Sequence, residues 1–361
     1  MTNAPAPSPA SILWPGAPMA LGAAALFGFS TPAAKLLIAH GADPILLAGL
    51  LYLGSGVGLA VVHAARGRLI AAKEAPLQGS DWSWLALATL AGGVAGPILL
   101  MIGLQGTPAA AGALLLNVEG LATMAIAWLV FREHVDRRLL VGAGAILAGG
   151  ALLSWQGQGG ALGLPALAIV GACLAWAVDN NLTRKLSAAD PVQMAAIKGL
   201  TAGSVNLAIA FARGAHAPSA TIIAAGMATG LLGYGISLTM FILALRHLGA
   251  ARTSAYFSTA PFLGAALALV LFREPVTAQI TGAALLMGLG VWLHLSERHE
   301  HEHEHESLEH EHRHGHDAHH QHAHAPGDPP GDTHTHRHRH APLRHSHPHY
   351  PDLHHRHGHA R

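Results

Sequence analysis

An internal repeat constrains the fold of this chain more than any single residue does. Two long apolar segments end in the same tripeptide, Phe131-Arg132-Glu133 and Phe272-Arg273-Glu274. A second pair, Ala42-Asp43-Pro44 and Ala189-Asp190-Pro191, also stands between apolar segments. The spacing from Asp43 to Asp190 is close to the spacing from Glu133 to Glu274. Two pairs at similar offsets indicate one long unit that occurs twice.

The apolar segments have the length that a helix needs to cross a bilayer, about 20 residues. Hydropathy predicts ten of them, five in each unit. The predicted spans are 17–39, 44–64, 83–104, 108–131, 138–155, 161–183, 191–212, 220–245, 249–272 and 277–296. Because five is odd, the second unit enters the membrane in the opposite direction, and inverted repeats are typical of secondary transporters. We expect an all-α membrane protein of ten transmembrane helices in two inverted five-helix repeats, followed by a disordered tail.

The predicted organisation has four parts: a cytoplasmic segment 1–16, repeats 17–155 and 156–296, and a tail 297–361. Basic residues in the loops predict the orientation. Ten lie on one side (Arg66, Arg68, Lys73, Arg132, Arg137, Arg138, Arg184, Lys185, Arg246, Arg252) and two on the other (Arg213, Arg273). By the positive-inside rule, the richer side is cytoplasmic. We expect a multi-pass protein of the inner (plasma) membrane with both termini in the cytoplasm.

Several function classes are disfavoured. The formal net charge of +1 is uninformative for a membrane protein, and nucleic acid is not an indicated partner. No phosphate-cradling Gly-x-x-x-x-Gly-Lys-Ser/Thr loop is present, so an ion gradient is the expected source of energy. No enzymatic constellation stands out, the lone Cys173 has no partner motif, and no cofactor is required. The expected partners are the lipid bilayer and a small solute or metal ion, and both a monomer and a homodimer remain open.

Residues 17–296 resemble the drug/metabolite transporter superfamily, and within it the EamA-type carriers of ten helices. The resemblance rests on Gly28 to Lys35 (GFSTPAAK), on Glu133 and Glu274, and on Trp176 to Arg184 (WAVDNNLTR). It implies transport of small solutes, often export, without naming the cargo. One departure is Asn117-Val118-Glu119-Gly120 in the first repeat, opposite Ser258 to Pro261 in the second. An acid therefore stands near a position that the family often gives to apolar or small residues.

Four ionisable residues fall within predicted spans: Lys35, Glu119, Asp179 and Lys198. A charge at membrane depth costs a few kcal/mol or more, so each is a functional candidate. Glu119 is the leading candidate for a proton- or cation-binding carboxylate, because it lies near the middle of its span. The alternative is an ion pair with Lys35 or Lys198 that locks helices together. In the cargo-binding interpretation, these lysines supply a counter-charge or contact an anionic group.

Polar neighbours extend the candidate site. Asp179, Asn180 and Asn181 carry oxygens that suit a cation or a polar solute, although at most two of the three share one helix surface. Asn117 lies about 200° around a regular helix from Glu119, so both should not face one cavity. Tyr234, between two glycines, has a hydroxyl for a solute, with simple packing as the alternative. Breaks at Pro32, Pro97 and Pro261 are expected to free carbonyls that line the cavity.

The tail is rich in histidine: 23 of the chain's 29 histidines lie after Ser296. With so few apolar residues it should be disordered when empty. Neutral imidazole binds zinc, nickel, cobalt and copper, so the alternating histidines are candidate metal ligands. These candidates are His299, His301, His303, His305, His310, His312, His314, His316, His334, His336, His338 and His340.

These features favour a secondary-active exporter whose cargo is a divalent transition metal: nickel, cobalt or zinc. A cytoplasmic tail that collects metal would raise its concentration at the inner mouth. One alternative is an exporter of a small organic metabolite such as an amino acid, with the tail only a metal-binding appendage. A second is a metal-responsive membrane sensor that no longer transports.

Overall fold

The computed structural model describes residues 15–69, 77, 79, 81–131, 137–155, 163–183, 186, 190–295, 300–305, 309–315, 333–339 and 343–348. Its first half contains α1 (Gly16–Ala39), α2 (Pro44–Leu69), α3 (Asp81–Ala88), a π-helical segment π1 (Thr89–Ala95), α4 (Gly96–Gly106), α5 (Ala109–Leu115), α6 (Asn117–Phe131) and α7 (Arg137–Ser154). Its second half contains α8 (Leu164–Thr183), α9 (Pro191–Ala212), α10 (Ala220–Gly230), a second π-helical segment π2 (Leu231–Ile236), α11 (Ser237–Phe257), α12 (Ala260–Phe272) and α13 (Ala278–Leu295).

The described helices have the composition of a membrane protein. Eight helical stretches are long and apolar enough to cross a bilayer: Gly16–Ala39, Pro44–Ala65, Asp81–Gly106, Ala109–Val130, Arg137–Ser154, Leu164–Thr183, Val192–Ala212 and Ala220–Ala244. Two shorter apolar helices, Ala260–Phe272 and Ala278–Leu293, follow them. The helical membrane class predicted from sequence is thus confirmed. One predicted boundary is wrong, because α11 continues through the loop expected near residues 246–248.

Two segments expected to be continuous helices are interrupted. The segment predicted as 108–131 breaks at Leu116, and the segment predicted as 249–272 breaks after Phe257, at the corresponding place in the second half. At the first break, the Asn117 amide donates to the Leu114 carbonyl oxygen at 2.8 Å and competes with the backbone hydrogen bonds. At the second, Pro261 stands in the first turn of α12, where its missing N–H does no harm.

The π-helical segments also recur in corresponding places, since π1 begins at Thr89 in the first half and π2 at Leu231 in the second. Pro97 follows π1 and has no amide hydrogen for a helical bond, and its ring cannot pack against the carbonyl of Gly93. The local widening of the helix accommodates both problems. Pro97 therefore accounts for the irregularity at π1, where the sequence predicted a break, whereas π2 has no proline within or directly after it.

The repeated Ala-Asp-Pro tripeptide caps a helix each time it occurs. The Asp43 carboxylate accepts hydrogen bonds from the amides of Ile45 and Leu46, at 3.0 and 2.9 Å. The Asp190 carboxylate accepts them from Val192 and Gln193, at 2.9 and 3.3 Å. Aspartate before a helix and proline at its first position are both favoured there. The two copies of the motif consequently cap the starts of α2 and α9 in the same way.

Eight helical units form a closed ring in which each unit packs on the next and the last packs on the first. In order around the ring, these units are α1, α11 with π2 and α10, α2, α9, π1 with α4, α8, α6 with α5, and α12. Helices α7 and α13 pack on each other. Most of these pairs join one helix from each half of the chain, so the two halves interlock.

Glycines allow the closest crossings. A Cβ atom on Gly199 would lie 2.6 Å from the Cα of Gly56, so α2 and α9 touch through their backbones. A Cβ on Gly28 would lie 2.5 Å from the carbonyl oxygen of Ala260, where α1 meets α12. Since lipid tails give helices no hydrophobic reason to associate, close backbone contact is the main attraction available.

The tail contains four short strands where the sequence predicted disorder. Strand β1 (Glu300–His305) pairs antiparallel with β4 (Leu343–Pro348), and β2 (Glu309–Gly315) pairs with β3 (Thr333–Arg339). An alternating sequence is compatible with strands, because successive side chains point to opposite faces. Residues 132–136, which include Arg132 and Glu133 of the first repeated tripeptide, lie outside the described residues.

Candidate functional site

Three side chains converge on the backbone of π1. The Tyr52 hydroxyl and the Trp176 indole nitrogen both donate to the carbonyl oxygen of Gly92, at 2.6 and 2.8 Å. The Asn206 side-chain amide donates to the carbonyl oxygen of Gly93 at 3.0 Å. Pro97 has no N–H to complete the hydrogen bonds of π1, and an unpaired carbonyl inside a membrane is costly. Side chains from α2, α8 and α9 thus satisfy the opened backbone and fix its position.

Glu119 lies in the first turn of α6, directly after the break at Leu116. It stands near the middle of its membrane-length stretch, which runs from Ala109 to Val130. The Asn180 amide of α8 donates to Glu119 Oε1 at 2.9 Å and to Thr123 Oγ1 at 3.4 Å. Glu119 is only half-buried and Asn180 is exposed. Both side chains therefore keep surface that the described part of the protein does not cover.

Asp179, in contrast, is a compensated charge. Lys198 Nζ lies 2.6 and 2.7 Å from its two carboxylate oxygens, and the Thr183 hydroxyl donates to Oδ1 at 2.8 Å. His63–Asp190 and Lys198–Asp179 are ion pairs in the described part of the chain, and Glu119 belongs to neither. Lys198 is thus the counter-charge of Asp179. Glu119 has an amide for a neighbour where the sequence analysis considered a lysine.

Lys35 is directed at a helix end. Its ammonium donates to the carbonyl oxygens of Leu104 and Gln105, the latter at 3.2 Å, in the last turn of α4. Glu274 accepts from the amides of Ala109 and Ala110, at 2.7 and 3.1 Å, in the first turn of α5. We call this pair, Lys35 and Glu274, the clamp. It ties α1 and the end of α12 to the turn between α4 and α5, and each charge suits the helix end that it contacts.

Two of the predicted amides are used by the backbone. Asn117 is buried, where its amide bonds the Leu114 carbonyl oxygen and approaches the sulfur of Met287 at 3.9 Å. Asn181 is also buried, and its amide donates to the carbonyl oxygens of Ala177 and Thr123 at 2.8 and 3.2 Å. These contacts hold helix geometry and leave Asn180 as the amide on the accessible side.

Five half-buried aromatic rings contact one another in a group that we call the aromatic cluster: Phe27, Tyr52, Tyr234, Phe241 and Phe257. The ring centroids of Tyr52 and Tyr234 are 5.5 Å apart, and those of Phe27 and Tyr234 are 5.9 Å apart, edge to face. The Phe257 centroid lies 5.5 Å from that of Phe27, in a tilted pair, and 4.8 Å from that of Phe241, edge to face. The rings come from α1, α2, π2 and α11. Tyr234, singled out in the sequence as a hydroxyl donor, contacts both Phe27 and Tyr52 in this cluster.

Tyr52 connects the aromatic cluster to π1. Its hydroxyl donates to the Gly92 carbonyl oxygen of π1, while its ring meets Tyr234 on π2. The bundle thus offers an uncompensated carboxylate beside an amide on α6 and α8, and apolar ring faces on α1, α2, π2 and α11.

Several of these residues were missed by sequence reasoning: Tyr52, Trp176, Asn206, Thr123 and Phe27. Their roles depend on where helices cross, which no local pattern states. Pro97 was the available signal, since a freed carbonyl requires donors from somewhere. Asn206 carries a further feature, because its side-chain oxygen is buried and has no hydrogen-bond partner among the described residues.

The histidine side chains of the tail lie outside what the structure describes. The strand register sets the backbone of His310 opposite His338, of His312 opposite His336, and of His314 opposite His334. In the other strand pair, His301 and His303 lie opposite His347 and His345. His299, His316 and His340 lie outside the described residues. In the described part of the chain, no group of three or more His, Cys, Asp or Glu side chains is arranged to hold a metal.

Comparisons with known proteins agree with this architecture. The model of the EamA-like transporter family matches residues 14–155 and 163–296. An uncharacterized transporter from Methanothermobacter thermautotrophicus is 26% identical over 281 residues, which cover 73% of this chain and 81% of that protein. A solved crystal structure of a protein aligns with a TM-score of 0.56 and 18% identity, over 80% of this chain and 97% of that one. At that identity the likeness shows the fold alone.

Proposed function

Because the chain belongs to the EamA-like transporter family, we propose that it is a secondary-active exporter in which Glu119 exchanges a proton. The protein is a membrane transporter, so its partners are the lipid bilayer and a small solute. Protons entering through the site would drive cargo outward. In this proposal, Glu119 and Asn180 form the polar part of the site, and the aromatic cluster forms its apolar part.

The observation that carries this proposal is the environment of Glu119. A carboxylate at membrane depth is expensive unless it is paired, hydrated or used. In the described part of the chain Glu119 has no basic partner, and it keeps accessible surface beside Asn180. Such a group can take up and release a proton with no ion pair to break. Asp179, held by Lys198, lacks that freedom, so we assign it to positioning α8 against α9.

A liposome assay tests the coupling. Purified full-length protein is reconstituted with a pH-sensitive dye inside, and solutes are added under an imposed pH gradient. We expect solute-dependent proton movement with the natural chain and its loss with Glu119→Gln. The matched control is Asp43→Asn, which removes a carboxylate at a helix start but keeps a good cap. Normal movement in Glu119→Gln at every pH would refute the coupling role, and none in any variant would favour a non-transporting sensor.

The cargo that the site suits best is a small organic solute. Lys198 occupies the carboxylate of Asp179, so a divalent ion would meet one free carboxylate, one amide and ring faces. A divalent ion that has lost its hydration shell requires several strong ligands, whereas an organic solute binds through apolar contacts and a few polar groups. Export of nickel, cobalt or zinc is the second candidate, and the histidine-rich tail is the feature that favours it.

Cell metal content separates the two cargoes. A deletion strain would carry the full chain, a version ending at Ser296, or Glu119→Gln. If the full chain lowers cell nickel, cobalt or zinc and Glu119→Gln does not, metal export replaces the organic cargo, and the truncated form reveals the contribution of the tail. Unchanged metal content in all strains is the result expected for an organic cargo.

We further propose ten spans in two inverted repeats, with both termini in the cytoplasm. Support comes from features that recur at similar spacing in the two halves: the caps of Asp43 and Asp190, the segments π1 and π2, and the breaks after Leu115 and Phe257. The family model also matches two successive stretches of the chain. Alternating access would then move mixed bundles, because the packed helix pairs combine helices from both halves.

A further inference from the structure

We propose that the tail binds divalent transition metals at two histidine faces, each formed where paired antiparallel strands set histidines from distant parts of the chain opposite one another. The sequence predicted metal binding by a disordered tail, in which any run of histidines could serve. The pairing of β1 with β4 and of β2 with β3 instead specifies which histidines lie opposite each other. This inference goes beyond the exchanger function and does not depend on the identity of the cargo.

The β2–β3 pair carries the larger histidine face. Residues directly opposite each other in an antiparallel pair lie on the same face, and the next residue along each strand lies on the other face. All six histidines of these two strands lie on one face, in three successive cross-strand pairs. These pairs are His310 with His338, His312 with His336, and His314 with His334.

The opposite face of the β2–β3 pair carries charges that favour this register. Glu309 is opposite Arg339, and Glu311 is opposite Arg337. Each pair of opposite charges in facing positions stabilises two strands by about 0.2–1 kcal/mol. Because the side-chain period of a strand is two, a one-residue slip would set histidines against residues of the charged face and separate both charge pairs. The charged face therefore helps to keep the histidines of the two strands opposite one another.

The β1–β4 pair has the same arrangement with fewer histidine pairs. His301 lies opposite His347, and His303 lies opposite His345. His345 and His347 were not among the ligands predicted from sequence. In both strand pairs the opposed histidines are far apart in the chain, so the strand pairing is what brings them together.

The spacing of two opposed histidines suits a single metal ion. Directly opposed residues have Cα atoms about 4.5–5.5 Å apart, and their Cβ atoms are separated by a similar distance. An ion held by two imidazole nitrogens at about 2.0–2.1 Å fits this spacing. Neutral imidazole is a ligand for zinc, nickel and copper. Two protein ligands leave the other coordination positions to water, so the bound ions can exchange.

The test exchanges neighbouring residues, so that the composition of the tail stays constant. Equilibrium dialysis at low nickel(II) concentration measures the ions bound by the purified full-length chain at neutral pH. The first variant, His312→Arg with Arg313→His, moves one histidine of β2 to the charged face. We expect the number of tightly bound ions to fall by about one, because a single imidazole binds far more weakly than two linked ones.

A compensating exchange makes the test specific to the strand register. Thr335→His with His336→Thr moves one histidine of β3 in the same way, and position 335 lies opposite Arg313. This exchange alone should also lower nickel binding. Combined with the first exchange, it sets the two moved histidines opposite each other again, and binding should return to the natural level. The matched control, His355→Arg with Arg356→His, lies outside the four strands and should leave binding unchanged.

Three results would overturn the proposal. Equal nickel binding by the natural chain and every variant would mean that composition alone determines binding. A combined variant that binds no more nickel than the single exchanges would mean that the opposed pairs are not the ligand sets. An equal loss in the control would mean that the position of a histidine in the strands is irrelevant. None of these results bears on the exchanger function, which the proton movement in liposomes measures separately.

Discussion

The two carboxylates at membrane depth differ in what surrounds them. Asp179 is buried and neutralised by Lys198, whereas Glu119 has only the amide of Asn180 and keeps accessible surface. The sequence predicted that both would be functional candidates, because charges in spans are costly. It could not predict which of the two carboxylates would pair with Lys198. That pairing depends on the rotation of α8 and α9 about their axes, which local sequence spacing does not set.

Lys198→Met should destabilise the folded bundle strongly. The substitution leaves the Asp179 carboxylate, whose side chain is 10% exposed, without its counter-charge. Losing one partner of a buried ion pair costs about 3–5 kcal/mol. Thermal unfolding in detergent measures the loss. The double variant Asp179→Asn, Lys198→Met should recover more than half of it, and equal instability of the single and double variants would contradict the ion-pair assignment.

At the scale of elements, backbone irregularities were only partly predictable. Pro97 and Pro261 lie beside π1 and the second break, as the sequence predicted. The break expected at Pro32 is wrong, because α1 continues through it from Gly16 to Ala39. The break at Leu116 has no proline, so hydropathy extended one helix through it. Its cause is the side-chain bond from Asn117 to the Leu114 carbonyl oxygen, a choice between two local geometries that the sequence does not decide.

Gly56→Leu should prevent stable folding by separating α2 from α9. A Cβ at Gly56 would lie 2.3 Å from the amide nitrogen of Leu200, a backbone atom that cannot move aside alone. Overpacking costs about 1–3 kcal/mol, and more where the backbone must move. The yield of monodisperse protein and its melting temperature report the effect. Gly144→Leu on α7 is the control, because nothing lies within 4 Å of its Cβ position, and equal behaviour of the two variants would refute the crossing.

The clamp should act as one unit at the turn between α4 and α5. Glu274→Gln removes a charge from the start of α5, and Lys35→Met removes one from the end of α4, each worth about 1 kcal/mol at a helix end. Because both residues hold the same turn, the loss in the double variant should be smaller than the sum. A thermal-melt double-mutant cycle measures this, and strict additivity would indicate two independent contacts.

At the scale of the whole molecule, the apolar segments predicted the helical membrane class and the approximate spans. The repeat marked corresponding positions in the two halves, and Asp43 and Asp190 at two of them cap helices. The repeat did not predict how the two halves pack together, because similar sequences indicate similar helices in each half but not the contacts between the halves. The ring that alternates helices of the two halves brings Tyr52 against Tyr234 and Glu119 against Asn180.

Removal of the tail after Ser296 should leave the transporter intact and remove most metal binding. The tail holds 23 of the 29 histidines, and imidazole binds metal through an unprotonated nitrogen. Equilibrium dialysis with nickel should therefore give several bound ions for the full chain at neutral pH, fewer on acidification, and few for the truncated form. Equal nickel binding by both forms would assign the metal sites to the bundle.

The central claim is that Glu119 changes protonation inside the folded bundle, in contact with water. Infrared difference spectroscopy of the purified protein during a pH titration tests this directly, since a protonated carboxylic acid has its own carbonyl stretching band. The account predicts a pH-dependent band that shifts in heavy water, is absent in Glu119→Gln and persists in Asp43→Asn. An identical difference spectrum for Glu119→Gln and the natural chain would contradict the account.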